Sequence, residues 1–228
     1  MNRSRVENEA RRLQFEIWHK RKLLWPIGEP SLSSMFSPRI AAHVLDLEYE
    51  MREKITPLSF GNGFEAAGIL NRARGIISIS TRFKYAVQHF TGAHEIGHFV
   101  LHPDVGGQIE HRDRPIFDLP PSGRSQIELE ADYFAAFFLA PRKLVAQAFS
   151  RRFGSTHPLR LDETVAFHLG GNLMHELFIS PTGSLKFAAA VAGAQRFGGF
   201  PFPSLADHFG ISVSAMAIRL QELGLVLD

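Results

Sequence analysis

The 228-residue chain has no cysteine, which excludes disulfide cross-links and thiolate metal ligands together. Any metal it holds must therefore sit on nitrogen and oxygen atoms. Charge of one sign is also scarce: 25 Lys and Arg stand against 23 Asp and Glu, a net +2. Non-specific binding to nucleic acid needs several phosphate contacts, and the one local basic cluster, His19, Lys20, Arg21 and Lys22, is weak support for it. Long hydrophobic runs are missing as well. The longest, around Phe134, falls far short of the roughly 20 residues of a membrane span. The charged start from Met1 to Glu9 lacks the apolar segment of a secretory signal. The expectation is a cytoplasmic protein with no membrane partner. What is present, 45% hydrophobic residues, suffices for a substantial core in one domain, or one plus a small appendage.

The strongest positive signal is His-Glu-Ile-Gly-His at residues 94 to 98. In a helix, positions four apart lie one turn above each other, so His94 and His98 can grip one metal ion from a single face. Glu95, offset around the helix, can reach a water on that metal as a general base. The flanks predict a helix from Tyr85 to His102: there is no proline inside, Val87, Phe90, His94, His98 and Leu101 recur at helical spacing, and Pro103 follows as a stop. Catalytic zinc usually takes three protein ligands and keeps a fourth position for water. His102 lies on the same stripe, but about 12 Å along a straight helix from His94, too far for ligand bonds of about 2 Å.

Glu-Leu-Glu-Ala-Asp at 128 to 132 opens a second apolar helical stretch ending at Ala140, before Pro141. On a helical wheel Glu128 shares its face with Ala131, Asp132, Ala135 and Leu139, a face of small residues that can approach another helix closely. Glu130 faces the other way, with Tyr133, Phe134 and Phe137. The third metal bond is therefore assigned to Glu128, with Glu130 as the alternative ligand. Asp132 is assigned to the free ring N–H of a ligating histidine, whose tautomer it would fix. Two histidines and a carboxylate suit Zn2+ first and also accommodate Mn2+ or iron.

These two segments, HEIGHFVLH and ELEADYFAAFFLAP, resemble the ImmA/IrrE family of intracellular metallopeptidases, whose pattern runs HELGHxxLH and then ExEANxFAxxLLMP. The likeness covers about 63 to 144, with more near the C-terminus. Asp132 stands where the family often has asparagine, and His89 where an arginine often precedes the phenylalanine-threonine pair. The resemblance implies a zincin-like peptidase whose strand beside the HExxH helix pairs with an extended substrate. It further implies that the substrate is a helix-turn-helix transcriptional repressor, which would make the protein an anti-repressor in stress response or mobile-element control.

Elsewhere, Phe64 to Leu70 and Ile76 to Ser80 around an Asn71–Gly75 turn predict a β-hairpin, and Ile40 to Leu47 a short helix. The loop from Asp104 to Gly123 is expected to border the cleft. Beyond Pro141, helices are expected near Asp162–Leu169 and Asn172–Phe178, and a small-residue stretch from Phe187 to Ala194. His157, His168 and His175 read as packing or surface histidines. Residues 204 to 225 resemble a helix-turn-helix, with Ser204 and Ser212 as N-caps and Gly210 and Gly224 as stops. Its second helix has Arg219 as the only strong cation, so packing or docking of a protein is favoured over DNA reading. The fold expected is α+β: a mostly helical metallopeptidase domain with a small sheet over 1–150, then a helical region over 151–228. For the oxyanion, Tyr133 and His89 are the candidates. Two rival functions stand beside the peptidase: a non-catalytic metal-containing regulator that binds DNA or protein, and a toxin-like protease of a toxin–antitoxin pair.

Overall fold

A computed structural model describes residues 1–55, 65–103, 109–112, 125–170, 174–181 and 184–227, with backbone alone at 109–112 and Met174. Phe64, Asn172 and nearly all of the 104–123 loop thus lie outside the described residues. Two compact units emerge, Met1–Leu139 and Ala140–Asp228. The first runs α1 (Arg3–His19), α2 (Arg21–Leu24), α3 (Leu32–Met35), α4 (Pro38–Val44), β1 (Glu48–Arg52), β2 (Gly68–Asn71) and β3 (Ile76–Ser80). It continues with α5 (Tyr85–Leu101), β4 (Ile109–Arg112) and α6 (Gln126–Leu139). The second holds α7 (Arg142–Phe153), β5 (Leu159–Arg160), α8 (Glu163–Gly170), α9 (Met174–Phe178) and α10 (Lys186–Gly193). It closes with β6 (Arg196–Phe197), β7 (Phe200–Pro201), α11 (Leu205–Phe209), α12 (Val213–Glu222) and β8 (Val226–Leu227). The chain is mostly helical with small sheets, an α+β architecture.

In the first unit, Val6, Ala10, Leu13 and Ile17 are buried along one stripe of α1, the 3.6-residue period that seats a helix on a core. Gln14 Nε2 donates to the carbonyls of Phe137 and Phe138 at 3.3 and 3.0 Å, tying α1 to the end of α6. The sheet has the order β1-β3-β2-β4, with β1 and β3 parallel and β2 antiparallel to both neighbours. The β2–β3 hairpin turns at Gly75, whose φ of +65° a residue with a Cβ adopts reluctantly. Sequence reading missed β1, because Glu48, Tyr49, Glu50, Met51 and Arg52 are half-exposed or exposed and show no apolar alternation.

The close meeting of α5 and α6 positions the site. A Cβ added at Gly97 would stand 3.2 Å from the Ala131 Cα and carbonyl oxygen and 3.1 Å from Phe134 Cδ1. Glycine on one helix and alanine on the other thus let the two backbones nearly touch, and Phe134 stacks on Phe138 at 5.9 Å beside them. Phe90, Ala93, Ile96 and Leu101 of α5 and Ala131, Ala135 and Phe138 of α6 are buried. In the second unit, α11 and α12 begin at Ser204 and Ser212, whose hydroxyls accept from Asp207 and Ala215 N–H. Gly210 at φ +62° ends α11, and Gly224 at φ +64° follows α12.

Candidate metal centre

His94 and His98 face α6 from successive turns of α5 and are 1% and 2% exposed. Their Nε2 atoms lie 2.9 Å apart, and each is 3.2 Å from an oxygen of Glu128 on α6. On its other side, His94 Nδ1 is 2.9 Å from Asp132 Oδ1. An ionised carboxylate only accepts, so Nδ1 carries the proton and Nε2 presents its lone pair inward. Electron-rich atoms therefore converge on one point. When the two imidazoles instead carry protons on Nε2, burial still pushes the Glu128 carboxyl upward, but hydrogen bonds from His94 and His98 outweigh it and hold the group well below the usual carboxylate range.

The donor set fits a divalent cation. Tetrahedral ligands at about 2.0–2.1 Å from zinc stand about 3.3 Å from one another, close to the separations here. His94, His98 and Glu128 form the one metal-capable His and carboxylate group found among the described residues, with ligand atoms all within 4.8 Å. Two nitrogens and an oxygen, without sulfur, suit zinc or manganese.

Comparison with known families decides the class. A peptidase family model, M78, described as the IrrE N-terminal-like domain, matches residues 51–177. The chain belongs to peptidase family M78. No curated protein matches it. The M78 match takes in β2, β3, β4 and both site helices, so the His94–His98–Glu128 group falls inside the matched module of a metallopeptidase family.

Within the M78 module, the remaining candidates separate. Glu95 is fully buried on the side of α5 nearest β2: the place where a Gly68 Cβ would stand is 3.4 Å from Glu95 Oε1. Glu130, the alternative ligand, is two residues from Glu128 but points elsewhere. Its Oε2 is 3.9 Å from His102 Nε2, and its Oε1 accepts from Gln126 at 3.0 Å. His102 caps the C-terminus of α5. Burial lowers its pKa, with the neighbouring His98 adding to the fall and Glu130 opposing it. The Tyr133 hydroxyl donates to Glu7 of α1 at 2.7 Å, and His89 stacks on Tyr85 at 5.3 Å.

Three positions that sequence reading passed over shape the centre. Gly97 permits the helix contact, and a glycine inside a helical pattern is the signal that would have flagged it. Arg72, in the β2–β3 turn, donates to the carbonyls of His98 and Phe99, satisfying the end of α5 beside a histidine of the centre. Thr91, one turn ahead of Glu95, is 1% exposed. The second unit holds no comparable polar convergence among its described residues. Its Arg219 is 2% exposed, donating to the Ala140 carbonyl at 3.1 Å and to Glu222 at 3.1 Å. No described helix is long and apolar enough to cross a membrane.

Proposed function

We propose that this chain is a zinc endopeptidase that cuts a protein substrate, a helix-turn-helix transcriptional repressor, with Glu95 as its general base. The observation that carries the reading is the three-membered cluster. Structural zinc sites close with four protein ligands, whereas catalytic ones keep three and leave a position open; the cluster here has His94, His98 and Glu128 and no fourth member among the described residues. That count favours catalysis over a structural metal in a regulator. A divalent ion held there supplies Lewis acidity toward a water and a peptide carbonyl. Glu95 takes a proton from the attacking water at a carboxylate oxygen and returns it to the departing amine. Asp132 keeps the proton of His94 on Nδ1, so that Nε2 stays a ligand lone pair.

The family likeness is what suggests a repressor as substrate and a cytoplasmic setting. Residues 204–225 are taken as a helix-turn-helix-like module that packs or docks protein. DNA reading by α12 is disfavoured, since Arg219, its strong cation, is buried. The test incubates the zinc-loaded chain, and separately its Glu95→Gln variant, with helix-turn-helix repressors from the same genome. Cleavage by the parent, lost by about 10²–10⁴-fold in a variant that still binds zinc, is expected. Equal cleavage by both proteins, or none by either, would sink the reading.

A further inference from the structure

The Thr91 hydroxyl is a polar group with no visible employment. It is buried on α5, and among the described residues its Oγ1 has no hydrogen-bond partner. Threonine in a helix usually satisfies such a hydroxyl on the carbonyl three or four residues back, and here it does not. An unsatisfied buried hydroxyl destabilises the fold. Valine has nearly the same shape and would remove that cost.

The surroundings indicate what the hydroxyl serves. Thr91 and Glu95 are four residues apart, hence neighbours on one face of α5. Both flank the same spot on β2: a Cβ on Gly68 would overlap the Thr91 Cγ2 methyl, stand 3.0 Å from Ile79 Cδ1 and 3.4 Å from Glu95 Oε1. Gly68 thus keeps open a small space in which the threonine side chain and the carboxylate sit together. Thr91 thus offers a hydroxyl donor one turn from the Glu95 carboxylate.

We propose that Thr91 is a positioning residue, whose hydroxyl donates through one water to the Glu95 carboxylate and holds it in the rotamer used in catalysis. The proposal rests on the peptidase reading for its catalytic consequence. With the zinc-loaded chain and the repressor of the cleavage test as substrate, Thr91→Val is expected to lower kcat about 10–100-fold. KM and zinc affinity should stay within twofold, and the melting temperature should hold or rise. Thr91→Ser should rescue kcat. Gly68→Ala should lower kcat by crowding the Thr91 methyl, and the Gly68→Ala/Thr91→Ser double variant, which lacks that methyl, should recover it. Parental kcat in Thr91→Val, or loss in both Thr91 variants, would overturn the proposal. Should the parent cut no better than Glu95→Gln, the peptidase reading fails by itself. A crystal structure of the zinc-loaded chain then still decides Thr91. A water within hydrogen-bond distance of both Thr91 Oγ1 and the Glu95 carboxylate is expected, and no such water, or Oγ1 seated on the Val87 carbonyl, would refute it.

Discussion

The α5–α6 pair and the α11–α12 pair both bury polar residues, but to opposite ends. Between α5 and α6, His94, His98 and Glu128 point acceptor atoms at one another from 2.9–3.2 Å. A divalent cation or a proton is what holds such a set of acceptor atoms together. In the α11–α12 region, Arg219 is buried with its donors directed at the Ala140 carbonyl and Glu222, so its charge is already used within the fold. Ligand atoms converging on one point mark a place for a metal ion. A satisfied charge marks structure, even on a helix whose sequence resembles a DNA reader.

The largest expected effect breaks the first half of that comparison. Glu128→Ala should weaken zinc binding by on the order of 10³-fold, about 4 kcal/mol, beyond the 10–100-fold that follows loss of an outer hydrogen-bond partner. Glu130→Gln should leave zinc affinity within twofold, because Glu130 faces His102 and Gln126. It should cost about 1 kcal/mol of stability instead. Competition with a chelator and urea unfolding measure the two quantities. Equal loss of zinc in both variants would mean that the two carboxylates share the centre.

Next in size is Arg219→Met. Removing a buried guanidinium exposes the Ala140 carbonyl to an apolar neighbour and leaves Glu222 without its partner, so about 2–3 kcal/mol of unfolding free energy should go. Binding to duplex DNA, followed by anisotropy at low salt, should not change. A stable variant with reduced duplex affinity would turn α12 back into a nucleic-acid surface.

How much of this was legible in the sequence depended on whether the cause was local. The α5 span was readable from its lack of proline and its 3.6-residue recurrence. The helical wheel put Glu128 and Glu130 on different faces, since two residues of helix rotate a side chain by about 200°, while leaving Glu130 open as a ligand. Ser204, Ser212, Gly210 and Gly224 announced the ends of α11 and α12 through chemistry confined to a few residues. By contrast, β1 exists because β3 pairs with it, and nothing in Glu48–Arg52 reports that partner. Arg72 lies 26 residues before His98, and its role appears only once the β2–β3 turn is laid against the end of α5. Gly68 and Thr91 are likewise 23 residues apart by number, and their packing is a property of the sheet lying on the helix.

The smallest effect comes from a third cluster that has neither deep burial nor convergence. On β1, Glu50 accepts from Arg52 Nε at 2.6 Å and from the hydroxyl of Ser78 on β3, its register partner. The Arg52 hydrogen bond, helped by that of Ser78, holds its carboxyl below the usual value of 4.5. As pH falls, the unfolded chain therefore takes up this proton before the folded one does. The contribution is full above the unfolded pKa and disappears as pH drops through the lower folded value. With Arg52 more than half exposed, solvent screening limits it to about 0.5–1 kcal/mol. Glu50→Gln should lower stability by that amount at pH 7 and by nothing in strong acid, while zinc affinity stays unchanged. A pH-independent difference between variant and parent would show that the pair acts through packing of β1 on β3, and that charge counts for little where acceptors do not converge.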